Sequence, residues 1–156
     1  MTVNGVSSPL RGLPMTFANP SLFLAAQPNA TSLGLIALTL NVDGALNSPS
    51  NPAAQGSIIS VFLNGIAPDP DVNTAPLQLS STNGWLVTGY SQASPFVVKV
   101  DLQVPAALQN NFGCPPNEAC TVAFEIIDSY AEISSPRSSS VSGLAVGGAV
   151  YVINTQ

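Results

Sequence analysis

Alternation of apolar and polar residues is clearest in residues 96–104, which read Phe-Val-Val-Lys-Val-Asp-Leu-Gln-Val. Successive side chains of an extended chain point to opposite faces, so this segment has one apolar face and one face carrying Lys99 and Asp101. A helical period of 3.6 residues would mix both charges into the apolar stripe. The pattern therefore predicts a half-buried β-strand, bounded by Pro95 and Pro105.

Further strands are predicted wherever a short apolar run lies between turn residues. Residues 33–42 are apolar at both odd and even positions, which predicts a central strand covered on both faces. The pairs Asp43-Gly44, Asn64-Gly65 and Asn83-Gly84 predict tight turns. The other predicted strands are residues 57–63, 76–79, 85–90, 120–127 and 143–154, the last with a bulge or close backbone contact at Gly147-Gly148.

About seven to eight short strands, with a single helical turn expected at residues 105–111, predict an all-β domain over residues 31–156. We expect an antiparallel β-sandwich of the jelly-roll kind. The loops vary in length, and the long links at residues 45–55 and 67–76 could cross from one sheet to the other, which favours a sandwich over the alternative of a closed barrel. A third loop is expected in the Ser-rich residues 134–142.

Residues 1–30 differ from the rest, because their prolines interrupt helix and sheet while their apolar side chains are too many for a solvated tail. We predict an extended N-terminal arm that lies in a groove of its own domain or of a neighbour. The side chains expected to make those assembly contacts are Phe17, Leu22, Phe23 and Leu24. The alternative is an irregular first edge strand of the same domain.

Charged residues make up only 7% of the chain, against about 25% in an average domain. The polar surface must therefore consist of Ser, Thr, Asn and Gln, and such a surface lets like copies pack without strong repulsion. The net charge of −5 includes only three bases, Arg11, Lys99 and Arg137. Isolated bases do not form a cationic patch, so we expect no nucleic-acid partner and no binding to anionic membranes.

The chain contains no histidine, which removes the commonest general base and most metal sites. Glu125, Asp128 and Glu132 lie close in sequence, and two carboxylates suffice for glycoside hydrolysis. Aromatic residues that would line a sugar cleft amount to 6% of the chain. We therefore expect no enzymatic activity, no cofactor and no small-molecule substrate.

Other polar groups give weak signals for ligands. Asp69 and Asp71, with Asp43 elsewhere, lack the spacing and the distal Glu of a calcium loop, so we expect exposed turns and no metal. Trp85 and Tyr90 stand at odd and even positions of one strand, which predicts opposite faces, one ring in the core and no sugar-binding platform.

Cys114 and Cys120 enclose five residues, so a disulfide between them is a candidate if the flanking strands pair. A disulfide would indicate an oxidising environment. The first residues lack the positive segment and apolar core of a secretion signal, and residues 33–40 are too few to span a bilayer. We therefore expect no secretion signal and no membrane span.

These observations favour a structural assembly subunit that acts by protein–protein contacts. The most concrete form of this hypothesis is a phage virion protein, either a capsid decoration (cement) protein or a fibre protein. Its partners would be copies of itself and a larger protein lattice, a capsid or a filament. The alternatives are an extracellular or cell-surface subunit, such as a pilus-like filament protein or adhesin, and a carbohydrate-binding β-sandwich module.

Overall fold

The computed structural model describes residues 2–3, 6–7, 20–25, 35–65, 79–108, 114–128 and 144–155. Within these residues the regular structure consists of β-strands, which confirms the all-β prediction. The strands are β1 (Thr2–Val3), β2 (Val6–Ser7), β3 (Ser21–Leu22), β4 (Thr39–Leu40), β5 (Ala53–Ala54), β6 (Ile58–Asn64), β7 (Leu79–Ser81), β8 (Leu86–Ser94), β9 (Val97–Gln103), β10 (Ala119–Asp128) and β11 (Leu144–Ile153).

Two larger sheets and one small antiparallel pair contain these strands. A four-stranded sheet has the order β5-β11-β10-β7, and a five-stranded sheet has the order β3-β6-β9-β8, with β4 also paired to β6. Strands β1 and β2 pair with each other. The pairing of β5 with β11 is parallel, and the other strand pairs are antiparallel.

The core is built from alternate residues of the long strands in both sheets. In β9, Val98, Val100 and Leu102 are buried while their neighbours are partly exposed, as the alternation predicts. Buried side chains from both sheets belong to one hydrophobic cluster, so the sheets share a core. Ala149 and Tyr151 of β11 lie in a second, smaller cluster with Ile36. The other strand residues of the shared core include Ile59, Val61 and Leu63 from β6, Val122, Phe124 and Ile126 from β10, and Val150 and Val152 from β11.

Two predictions for the residues that flank β9 differ from the structure. Phe96 was expected on the apolar face, but it is 81% exposed, because Pro95 and Phe96 form the two-residue turn between β8 and β9. After β9, residues 105–108 contain bends and no helical turn, and residues 109–111 lie outside the described part.

Residues 35–40 do not form the predicted central strand. Only Thr39 and Leu40 are a strand, and Leu35 and Val42 are exposed. Ile36 bridges to Ala149 in the four-stranded sheet, whereas β4 pairs with β6 in the five-stranded sheet. The segment therefore crosses between the sheets, and its apolar residues serve two different partners instead of the two faces of one strand.

The predicted turns at Asp43-Gly44 and Asn83-Gly84 are present, and Asn83 and Gly84 both have positive φ (58° and 81°), as the Asn-Gly pair favours. Gly147 and Gly148 lie in unbroken register with Glu125 and Phe124, so no bulge occurs there. The predicted loops at residues 67–76 and 134–142 lie outside the described residues.

The close backbone contact predicted at Gly147-Gly148 occurs at Gly148. A Cβ added there would lie 2.9 Å from Cδ1 of Leu22 and 3.3 Å from Cζ of Phe124. We expect Gly148→Ala to lower the free energy of unfolding by about 1–3 kcal/mol, because the core must overpack. Urea denaturation of the variant measures this loss.

Combining this change with Leu22→Ala provides the control. Shortening Leu22 makes room for the methyl group that Gly148→Ala introduces, so the double variant should lose less than the sum of the single losses, by at least about 0.5 kcal/mol. Strictly additive losses would contradict the contact, and would mean that Leu22 does not pack on Gly148 of its own chain.

Candidate contact surface

One face of the five-stranded sheet points away from the core, and we call it the outer face. Residues directly opposite each other in paired strands share a face. Lys99 of β9 lies opposite Phe62 of β6 and Ser91 of β8. Next to Phe62, the backbone N–H of Phe23 donates to the carbonyl oxygen of Phe62 at 3.0 Å. These four residues form the Lys99 row.

A second row crosses the outer face two residues further along β9, roughly 7 Å away. Asp101 lies opposite Ser60 of β6 and Gly89 of β8, and Leu40 of β4 lies opposite Ser60. We call this the Asp101 row. Along two of the strands, the residue in the Lys99 row is larger than the residue in the Asp101 row: Phe62 against Ser60 in β6, and Ser91 against Gly89 in β8.

An ion pair joins the two rows at the centre of the outer face. Nζ of Lys99 lies 3.2 Å from Oδ1 of Asp101, and the hydroxyl of Ser60 donates to the same oxygen at 2.6 Å. The two charged side chains are 35% and 28% exposed, so water screens the pair, and such pairs contribute only about 0–1 kcal/mol. Lys99 is the one cationic side chain in the described part of the chain, since Arg11 and Arg137 lie outside it.

Apolar side chains surround this ion pair on a face that the alternation predicts to be polar. Ile58 and Leu86 lie opposite Gln103 at one end of the outer face, and both are exposed. Phe23 is exposed at the edge, and Phe62 and Leu40 are half-buried. Exposed apolar groups gathered on one face are typical of surfaces that contact another protein.

The four predicted arm contacts have separate environments. Leu22 pairs with Leu63 and packs against the core of its own chain. Phe23 and Leu24 are partly exposed, and Phe17 lies outside the described residues. Residues 20–25, assigned to the arm by their composition, thus include an edge strand of the five-stranded sheet, which is the alternative that the sequence left open.

The prediction that the side chains of Trp85 and Tyr90 lie on opposite faces of the sheet is wrong. The register of β8 against β9 shifts between Val87 and Gly89, so a bulge changes the alternation. Tyr90 lies opposite Val100 and therefore points to the core side of the sheet. The expected burial is nevertheless found, because Trp85 is 4% exposed and Tyr90 is 41% exposed.

The outer edge of β8 is poorly suited to binding a further strand. Register shifts occur near both ends of the strand, between Val87 and Gly89 and between Gln92 and Ser94. Bulges at a sheet edge disrupt the ladder that an added strand would need. The broad outer face is therefore a better candidate for contacts than this edge.

Of the three acids considered for a carboxylate pair, the structure describes the side chain of Glu125 alone. Glu125 accepts a hydrogen bond from the hydroxyl of Thr82 at 3.4 Å. The side chain of Asp128 and the whole of Glu132 lie outside the described part.

Of the three calcium candidates, Asp43 alone lies within the described residues. Asp43 lies in an exposed turn, where its Oδ1 accepts from the backbone N–H of Ala45 at 2.9 Å, and Asp69 and Asp71 lie outside the described residues. The described residues contain no group of three or more His, Cys, Asp or Glu side chains that could hold a metal ion. They also contain no helix that could cross a membrane.

The structure joins Cys114 and Cys120 as a disulfide, with Cα atoms 5.5 Å apart. Both cysteines pack against the hydrophobic core. The amide of Asn154 donates to the carbonyl oxygen of Cys114 at 2.8 Å, so the disulfide loop is bonded to the end of the chain beyond β11.

No protein-family model matches this sequence, and neither the curated proteins nor the solved structures contain a match.

Proposed function

We propose that the protein is a structural assembly subunit that acts by protein–protein contacts through the outer face. The observation that carries this proposal is the apolar surround of the Lys99–Asp101 ion pair on a solvent-facing sheet. A polar outer face would be expected if the sheet only had to stay dissolved. Exposed Phe23, Ile58 and Leu86 are instead suited to burial against another protein surface.

We propose further that the two sheets form a sandwich of the jelly-roll kind. The support is that side chains of both sheets belong to one hydrophobic cluster. The ring of Trp85, which precedes β8, packs 5.7 Å from that of Phe124 in β10, and thereby links the two sheets. Such a sandwich would leave the outer face of the five-stranded sheet available to partners.

The most concrete form of the proposal is a phage virion protein that decorates a capsid or belongs to a fibre. Its support is the composition, since 7% charged residues leave a nearly neutral surface on which many copies can pack. A subunit of an extracellular filament or adhesin is the second candidate. The Cys114–Cys120 disulfide favours that alternative, because disulfides persist in oxidising environments.

Replacing exposed apolar residues at the edge of the outer face tests the assembly proposal. We expect Phe23→Ser/Leu86→Ser to reduce the association constant on the order of tenfold or more, because two exposed apolar side chains of the outer face no longer become buried. Light scattering after size-exclusion chromatography over a concentration series measures the association.

Val42→Ser is the matched control, because Val42 is an exposed apolar residue in the turn at residues 42–44. It should leave the association unchanged. A full chain that stays monomeric at all concentrations, or equal association of both variants and the wild type, would contradict the proposal. Truncation is a poorer test when it extends to residue 30, because it removes β3 and its pairing with β6.

A further inference from the structure

The Lys99 row and the Asp101 row of the outer face are complementary to each other in charge and in side-chain size. From the sheet edge to β8, the Lys99 row presents Phe23, a second aromatic ring, a cation and a serine. In the same order the Asp101 row presents Leu40, a serine, an anion and a glycine. The two rows therefore match position by position: an apolar residue faces an apolar residue at the edge, a larger side chain faces a smaller one in β6 and β8, and a cation faces an anion in β9.

A twofold axis can superpose the two rows. The axis must lie in the plane of contact, run across the strands and pass between Lys99 and Asp101. Rotation about it places the Lys99 row of one copy over the Asp101 row of the other, in both directions at once. Such a contact is isologous, so it closes as a dimer.

We propose that the outer face binds the same face of a second copy in this way, and that Lys99 of each copy pairs with Asp101 of the other. This inference rests on the proposed function and names its partner. Lys99 and the anion beside it become two reciprocal ion pairs, so the charge of one copy complements that of the other. At the edge, Phe23 of one copy covers Leu40 of the other.

Size complementarity supports the same arrangement. Phe62 of one copy lies over Ser60 of the other, and Ser91 lies over Gly89, so a larger side chain meets a smaller one at both positions. An added side chain at Gly89 would approach the carboxylate of Asp101, whose Oδ2 lies 4.0 Å from the site of a Cβ. The glycine thus keeps the Asp101 carboxylate accessible from the β8 side.

The dimensions of the face indicate a weak dimer. Four strand positions and seven residues of β9 span roughly 19 Å by 24 Å, or about 450 Å² in plan. Each partner in a standard specific interface buries about 800 Å². One contact of this kind therefore dissociates readily in dilute solution, and it becomes persistent when many copies are held together in a larger assembly.

Charge reversal tests the proposal through sedimentation velocity of the full chain at concentrations up to about 1 mM. Wild type should form dimers. Lys99→Glu leaves two acids on the outer face, and Asp101→Lys leaves two bases. Each single variant should weaken dimerisation by on the order of 100-fold, since the twofold repeats every like-charge contact.

Two further samples distinguish charge complementarity from damage to the fold. The double variant Lys99→Glu/Asp101→Lys has exchanged charges and should dimerise like the wild type. An equimolar mixture of the two single variants should form heterodimers, because the acidic face of one fits the basic face of the other. Unchanged circular dichroism and thermal midpoints establish that all variants are folded.

The outcomes separate this inference from the proposed function. If the wild type associates and both single variants associate equally well, the outer face is not the contact, while assembly through another surface stands. If the single variants are monomeric and neither the double variant nor the mixture restores dimers, the reciprocal pairing is wrong. A wild type that remains monomeric at the highest concentration overturns both proposals.

Discussion

Asn47→Ala is expected to lower the free energy of unfolding by about 2–4 kcal/mol, although the residue lies in a segment that the sequence marks only as a loop. Asn47 is 2% exposed. Its Nδ2 donates to the carbonyl oxygen of Tyr151 at 2.8 Å, and its Oδ1 accepts from the backbone N–H of Tyr151 at 2.8 Å. The alanine variant leaves both backbone groups of Tyr151 without these partners inside the protein.

The effect is large because both backbone groups of Tyr151 that point away from β10 are bonded to the side chain of Asn47. On this edge of β11, Ala149 is bonded to the backbone of residues 35–37, and Val152 and Ile153 pair with β5. Between them the amide of Asn47 takes the place of a strand residue. Unpaired backbone groups in the interior each cost about 1–3 kcal/mol, so one truncated side chain affects the whole ladder.

Urea denaturation followed by the fluorescence of the single tryptophan measures the loss. Asn51→Ala is the matched control, because the Asn51 side chain donates to the carbonyl oxygen of Leu46 at 3.2 Å in an exposed position. It should cost less than about 1 kcal/mol, since water can replace that bond. Equal losses at positions 47 and 51 would show that the amide of Asn47 does not complete the edge of β11.

Strands with regular alternation were predictable because a period of two is a local property of the chain. The observed bounds of β6, β9, β10 and β11 agree with the predicted runs to within a few residues. In β9 and β10 every second side chain lies in the shared core, so burial on one face imposes the pattern that the sequence displays. In β11 the intervening Ala149 and Tyr151 are buried in a second cluster, which matches its continuous apolar run.

Segments whose partners change along their length were not predictable in the same way. Residues 35–40 bond first to the four-stranded sheet and then to the five-stranded sheet, so their apolar residues follow no single period. The bulge in β8 depends on its pairing with β9, and one extra residue was enough to move Tyr90 to the core side. Both features are set by contacts between distant residues.

The candidate site was predictable only in its central strand. The alternation places Lys99 and Asp101 on the solvent-facing side of β9, and the structure joins them as an ion pair. Phe62 and Ser60 became their neighbours through the register of β6 against β9. Nothing in the composition of residues 1–30 indicates that Phe23 completes the Lys99 row, because that depends on β3 pairing with β6.

Trp85→Ala is expected to produce the largest loss of stability, about 3–5 kcal/mol, because it removes a large buried ring from the junction of the two sheets. The Trp85 ring packs against Phe124 with centroids 5.7 Å apart, and its Nε1 donates to the carbonyl oxygen of Ala123 at 3.0 Å. Both contacts lie in β10, whereas Trp85 leads directly into β8 of the other sheet. The substitution therefore creates a cavity and also removes a link between the sheets.

Two comparisons separate the contributions of the ring and of its N–H group. Trp85→Phe keeps most of the contact with Phe124 but loses the bond to Ala123, so we expect a smaller loss of about 1–2 kcal/mol. Phe96→Ala removes an aromatic ring that is 81% exposed in the β8–β9 turn, and it should cost less than about 0.5 kcal/mol. Circular dichroism monitors urea unfolding in this series, because the variants at position 85 lack the fluorescent residue. If the two sheets share one core around this ring, Trp85→Ala loses more unfolding free energy than Trp85→Phe, and Phe96→Ala loses almost none. A Trp85→Ala variant as stable as Phe96→Ala would mean that the sheets do not share a core there.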